Sequence, residues 1–382
     1  MIQLQSEVAM DHTHHVRNEK PEPAECHGHH EHYHKHTHHE AHGSHAARIT
    51  ERKASIRMAS WNHIAAAIVL LLAIAAPLAS CSQWEQRDKR FYYRALWNFA
   101  LRENLKELDI EFNGVDFGHS NLYENLLLRG AQSLPAIEED ARKQTLRFIA
   151  TRPPLNPNEE AIAPTYMKLA WKAQNTFDEA HALHRGTYDI YVSEVKDKDA
   201  AMRKLLAFYQ DSQYAITSKR LDHHRLDTLP YSKAFRQKFP LFNATIWAYH
   251  YLQVVVYDSL GAVADLTAKQ KAVEPILRTY HGYLEHPPVE WTFMPMTGEL
   301  SPKFAAEHPE IANIFDNLHM MHDTISDILA SELLPTWEEK RNEIYRVTQA
   351  YYWASADATN PYILKDDKPH GVHSMSSRRS TH

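Results

Sequence analysis

The chain has 382 residues, 43% of them hydrophobic and 10% aromatic, enough to bury a core in one large or two moderate domains. A net charge of −6 with His neutral argues against nucleic acid as a partner. Two cysteines, Cys26 and Cys81, exclude a disulfide framework and a Cys-rich zinc module, and the absence of C-x-x-C-H excludes covalent c-type haem. With only 10 glycines and little strand-like alternation, the composition points to an all-α multi-helix bundle; its anomaly is 28 histidines.

Residues 1–57 are predicted to be a disordered His-rich segment. His tracts fill residues 11–15 and 26–45, the second reading CHGHHEHYHKHTHHEAHGSH. Such a stretch has too little apolar surface to offset the entropy of ordering. Many imidazoles on one flexible chain bind Zn, Ni, Cu or Co with modest selectivity, which suits a metal buffer or loading arm. The plainer reading is a compositional feature, or an extension upstream of a start at Met58.

Residues 58–81 contain the one long apolar run, IAAAIVLLLAIAAPLA at 64–79, preceded by Arg48, Arg52, Lys53 and Arg57. A full membrane crossing needs roughly 20 such residues, so the run is better suited to a signal peptide. It ends Leu78-Ala79-Ser80-Cys81. This resembles the lipobox of bacterial lipoproteins over residues 48–82, and the resemblance implies cleavage before Cys81 and a lipid on it. The long leader departs from that pattern. The competing expectation is an uncleaved anchor oriented by its basic flank. Both put residues 82 onward on the exported side of a membrane, in the periplasm or cell envelope.

Residues 82–357 read as the helical domain, with seven to nine helices. Residues 83–108 are predicted to be helical, 113–118 a Gly-containing loop, and 122–129 and 136–150 helical again. Residues 152–164 hold four prolines and read as a loop or subdomain boundary. A long helical pattern starts at Thr165, and another spans 199–216. The stretch LDHHRLD at 221–227 breaks the periodicity. An apolar helix over 241–260 carries His250 at its middle. Pro275 is expected to kink or restart a helix over 266–284. Helices over 309–334 and 336–353 follow, and 358–382 is predicted to be a disordered tail.

One stretch organises this domain. Residues 175–190, NTFDEAHALHRGTYDI, recur as residues 313–328, NIFDNLHMMHDTISDI. Asn, Phe, two His, two Asp and Ile coincide at the same offsets, which suggests an internally duplicated His/Asp helix. At about 100° per residue, Asp178, His181 and His184 spiral down one side of a helix, as do Asp316, His319 and His322. Phe177, Phe315, Ile190 and Ile328 read as core.

Two such helices side by side would bring four imidazoles and at least two carboxylates together. The ligand logic is like that of di-iron carboxylate bundles, which use Glu-x-x-His on two helices, but no clean pair of additional Glu donors stands out here. The candidate metal ligands are therefore Asp178, His181, His184, His250, Asp316, His319 and His322. Mixed N and O donors without thiolate suit Zn, Fe, Mn, Cu or Ni and do not distinguish among them. Asp178 and Asp316 could instead orient the imidazoles from behind. Asp189 and Asp327 stand too far along the axis for the same ion and read as serving a second ion or a helix end. A buried polar network without metal would explain the same residues. A bis-His haem would leave the aspartates unexplained. His223, His224, His281 and His286 are weaker candidates. The functional expectation is an exported, membrane-anchored metal-binding protein. A metal-dependent oxidase or hydrolase, and a structural or complex-assembly lipoprotein, are the alternatives.

Overall fold

The computed structural model describes residues 93–129, 134–154, 159–222, 228–290 and 294–352. The His tracts, the apolar run, Cys81, His223, His224 and the tail lie outside the described residues. Among the described residues, thirteen helices run in chain order: α1 Ala100–Asn104, α2 Lys106–Arg129, α3 Leu134–Ala150, α4 Glu159–Ile162, α5 Pro164–Val192, α6 Lys198–Gln210, α7 Ala234–Lys238, α8 Pro240–Ala262, α9 Leu266–Glu285, α10 Thr297–Leu300, α11 Pro302–Glu307, α12 Pro309–Ala330 and α13 Trp337–Tyr351. Among the described residues the fold is all-α, with one isolated bridge between Ile216 and Tyr352. No helix there is long and apolar enough to cross a membrane.

Four long helices, α2, α5, α8 and α12, make the centre. α2 touches the other three, and α5 touches both α8 and α12. Each has an outer neighbour: α3 on α2, α6 on α5, α9 on α8, and α13 on both α12 and α5. Local chemistry sets where they begin. Pro164, Pro240, Pro302 and Pro309 open α5, α8, α11 and α12, where a missing N–H costs nothing. Asp197 and Asp265 cap α6 and α9, and Thr336 with Glu339 forms a capping box on α13.

Several elements differ from the sequence expectation. The predicted loop at 113–118 lies inside α2. Gly114 and Gly118 are helical because neighbours press on them: a Cβ on Gly118 would lie 2.5 Å from the Tyr249 ring, and one on Gly114 2.4 Å from Ile149. Close packing here outweighs the helix propensity that glycine lacks, about 1 kcal/mol per residue. Conversely, the helix expected through Leu108 breaks at Leu105. Pro275 sits inside α9 without ending it. The pattern over 199–216 stops at Gln210, because Ile216 and Thr217 donate instead to the Tyr209 hydroxyl and the Tyr351 carbonyl.

Two local structures recur. Phe99 and Lys233, with φ of 70° and 72°, stand in the left-handed region just before α1 and α7. Asp189 accepts from the backbone N–H of Phe99 and Leu101, and Asp327 from those of Lys233 and Phe235. Each short helix then breaks at one residue, Leu105 or Phe239, with nearly the same backbone angles, before the long helix starts. Lys198 and Lys340 donate to the last carbonyls of α5 and α12. The far Asp of each repeated stretch thus fastens the start of a short helix.

Candidate metal centre

α2 is the anomalous element. It is buried along most of its length, yet carries Asp109, Glu111, Asn113, Asp116, His119, Ser120, Asn121, Glu124 and Asn125 among its buried residues. Buried polar groups need partners, and following those partners sorts the interior carboxylates. Glu124 accepts from Thr165 and Tyr166 at the start of α5. Asp258 accepts from Lys303 and Phe304 at the start of α11. Asp316 accepts from the backbone N–H and hydroxyl of Thr297, and burial raises its carboxyl to about 7 against those bonds. With Asp189 and Asp327, these carboxylates are committed to helix starts. Asp109 takes the Arg185 guanidinium. Asp116 and Glu159 stand apart from this set, beside His181.

Six imidazoles converge between the four central helices: His119 from α2, His181 and His184 from α5, His250 from α8, and His319 and His322 from α12. None is more than 3% exposed. The repeated stretches meet reciprocally. The first His of each copy faces the second His of the other, with ring centroids 5.6 Å apart for His181 and His322 and 5.8 Å for His319 and His184. The Phe of each copy packs on the second His of the other, Phe177 on His322 at 4.1 Å and Phe315 on His184 at 3.4 Å.

The surroundings of the two pairs are unlike. His184 Nδ1 lies 2.6 Å from the Tyr257 hydroxyl, and His319 stacks on His250 at 3.9 Å. Beside His181 and His322 stands His119, and these three offer donor atoms within 4.8 Å of one another. Asp116, Glu159 and His181 form a second such group. His181 Nδ1 is 3.6 Å from Asp116 Oδ1 and 3.5 Å from Glu159 Oε1. The other Glu159 oxygen, Oε2, accepts from Ser120 and Gln174, and Gln174 also donates to Asp178.

The proton inventory favours neutral imidazoles. Burial, reinforced by mutual repulsion, holds His119, His184, His250 and His322 well below the ordinary imidazole value and pushes His319 to about 3. A neutral imidazole keeps the lone pair that a metal ion requires. His181 is the exception. Burial would lower it too, but Asp116 and Glu159 outweigh that and raise it. Burial likewise works against the Glu159 carboxylate, yet His181, Ser120 and Gln174 hold it below its ordinary value. Asp178 is raised well above its own, by burial and then by Glu159.

His250 Nδ1 lies 3.1 Å from the Met294 sulfur. A thioether can only accept, so Nδ1 carries the proton and Nε2 keeps a lone pair. That lone pair faces His119 Nε2 at 3.0 Å and His322 Nδ1 at 3.2 Å. Elsewhere in the cluster, seven imidazole nitrogens, on His119, His181, His184, His319 and His322, have no hydrogen-bond partner within the protein. Each buried polar atom left without one costs about 1–3 kcal/mol.

The structure therefore gathers His181, His184, His250, His319 and His322 of the sequence candidates. It engages Asp316 elsewhere, and puts Asp178 half-buried at the edge beside Gln174. Sequence reasoning missed Asp116 and Glu159, which lie in stretches read as loops, and His119, which lies between the expected loop at 113–118 and the expected helix at 122–129. An open cavity lined by Tyr93, Trp97, Glu179, Asp189, Leu205 and Tyr209, among others, lies apart, and none of the six imidazoles lines it. The buried His, Asp and Glu groups could hold a metal ion. Comparison with known proteins gives no matching family model, no matching curated protein and no matching solved structure.

Proposed function

We propose that the helical domain holds a transition-metal ion among His119, His181 and His322, and that the protein handles metal at a membrane surface. The observation that carries this reading is the convergence of these three donors in a buried cluster where His119 Nδ1, both nitrogens of His181 and His322 Nε2 lack hydrogen-bond partners within the protein. Coordination would satisfy them where no hydrogen bond does. Imidazole donors next to carboxylates suit Zn, Fe, Mn, Cu or Ni. Near-complete burial of the six imidazoles favours holding an ion over turning over a substrate, because a catalytic ion keeps an open position.

We infer further that the central helices derive from a duplicated unit. Support comes from the shared stretches in α5 and α12, their reciprocal Phe–His contacts, and the matching Asp clamps on α1 and α7. The lipobox-like Leu78-Ala79-Ser80-Cys81 supports attachment through a lipid on Cys81, or through an uncleaved anchor, on the exported side. The His-rich segment would then collect metal near the domain.

The test is metal content of the full chain after a brief chelator wash, beside a His119→Ala/His322→Ala variant. Because the His-rich segment is common to both, the difference reports the core. At least one ion fewer per chain is expected in the variant, and equal content would refute the core site. Lipidation is tested separately: Cys81→Ala should abolish a lipid mass shift, and an unchanged leader-bearing product would refute it.

A further inference from the structure

We propose that His181 is shared by two ions, with a second divalent transition-metal ion bound by Asp116, Glu159 and His181 beside the imidazole set His119, His181 and His322. The inference rests on the metal reading above and deepens it.

Geometry is the first support. His181 Nδ1 stands 3.6 Å from Asp116 and 3.5 Å from Glu159, beyond good hydrogen-bond distance. Two donors on one tetrahedral ion, each at about 2.0–2.1 Å, stand about 3.3 Å apart. The ring is 3% exposed and neither nitrogen has a hydrogen-bond partner within the protein. Its Nδ1 points toward the carboxylates, so Nε2 is the atom available to His119 and His322.

Charge is the second support. A divalent ion among three neutral imidazoles leaves two buried positive charges, which a low-dielectric interior opposes. The Arg185 guanidinium is shared among acceptors: it donates to Asp109 and Asn113 and stands 3.9 Å from Asp116. Asp116 and Glu159 supply two carboxylates beside the imidazole set that offset the charge of an ion.

Binding both ions requires a lone pair from each nitrogen of His181. The ring N–H proton leaves to solvent, and the imidazolate bridges. Two divalent ions, two carboxylates and one imidazolate leave a single net positive charge. The carboxylate set suits the harder ions Mn, Fe or Zn, and the imidazole set suits Cu or Zn.

The experiment loads the full chain with Cu²⁺, removes loosely held metal with a brief chelator wash, and measures copper per chain and the electron paramagnetic resonance signal. In the wild type an imidazolate-bridged copper pair is expected, with integrated spin below the copper content. Asp116→Asn/Glu159→Gln and His119→Ala/His322→Ala should each hold one copper fewer and give isolated copper signals. If the carboxylate double variant keeps all its copper and an unchanged signal while the imidazole variant loses one copper, the second site is refuted and the imidazole site stands. If the carboxylate double variant loses its copper and the imidazole variant loses none, the ion is held by the carboxylates alone and both readings fall. No loss in either variant refutes both as well. The wild-type coupling needs no variant, so a substitution that fails to fold leaves the proposal testable.

Discussion

Asp189→Asn separates two opposing forces on one buried carboxylate. Asp189 is 6% exposed and accepts from Phe99 N–H at 3.1 Å and Leu101 N–H at 2.7 Å. Burial pushes its carboxyl up from 3.8 to about 6, against the pull of the two amides and Arg185. The folded chain therefore holds this proton more tightly than the unfolded chain does. Stability from this group is fully present below the unfolded value and is lost as pH rises through the folded one. A shift of about two pH units corresponds to about 3 kcal/mol, and about 1.4 kcal/mol of it develops between pH 5 and pH 7.5. Asn is neutral throughout, keeps one acceptor and turns an NH₂ toward the other amide, which costs about 1–3 kcal/mol. Denaturant unfolding of wild type and variant at both pH values measures the gap. The variant should be less stable at pH 5, and its deficit should shrink by about 1.4 kcal/mol at pH 7.5. A deficit that stays constant or grows would show that the two amides hold Asp189 ionised, and would refute burial as the dominant force.

Three further outcomes are expected. At a hundredfold excess over the dissociation constant, a metal ion bound only by the folded chain stabilises it by about 2.7 kcal/mol, or about 5–11 °C in Tm for a domain of this size; the same shift in His119→Ala/His322→Ala would place the binding outside the imidazole cluster. Gly118→Ala drives a methyl into the Tyr249 ring and should cost about 1–3 kcal/mol, while Gly282→Ala, with nothing within 4 Å, should gain about 0.4–1 kcal/mol. Unfolding free energies that move in the same direction would contradict that contrast. Met294→Leu removes the sulfur that accepts from His250 Nδ1–H while costing under about 1.5 kcal/mol. Nitrogen NMR of His250 should then lose its fixed Nδ1–H tautomer, and an unchanged tautomer would refute the sulfur contact as its cause.

The helices of the second half were legible because proline and periodicity mark them. The apolar run at 241–260 gives α8 to within two residues, and Pro309 gives the start of α12, whose expected end at 334 runs four residues past Ala330. The repeated stretch was legible as a pair of facing helices, since identical polar residues at identical offsets survive only the same local geometry. α2 was not, because its two glycines and buried polar residues imitate a loop. Only packing against Tyr249 and Ile149 explains them. With α2 went His119 and Asp116. Glu159 was lost because a proline-rich loop gives no sign that its end folds back onto Ser120 and Gln174. Asp178 and Asp316 show the opposite error. Equal offsets suggested equal roles, but Thr297 takes one and Gln174 the other.

That inequality bears on why the proposed metal site would be one-sided. α5 and α12 present nearly equivalent ends, each with a His–His pair and a Phe across it. What differs is what α2 and α8 bring to them. Counted from the break residues Leu105 and Phe239, Asp116 and His250 occupy the same position along their helices. One supplies a carboxylate where the other supplies an imidazole. Negative charge therefore enters at one end, beside His181. The other end is closed by the Tyr257 hydroxyl on His184 and by His250 stacked on His319. An ion needs both lone pairs and compensating charge, and only the His181 end combines them among the described residues. Adding a carboxylate at the other end should therefore recruit it: Asp116→His with His250→Asp would place one beside His319 while Glu159 stays beside His181. Copper retained by that double variant should become sensitive to His319→Ala, while the copper on His119, His181 and His322 stays sensitive to His181→Ala. Retention indifferent to His319→Ala would refute carboxylate placement as the determinant.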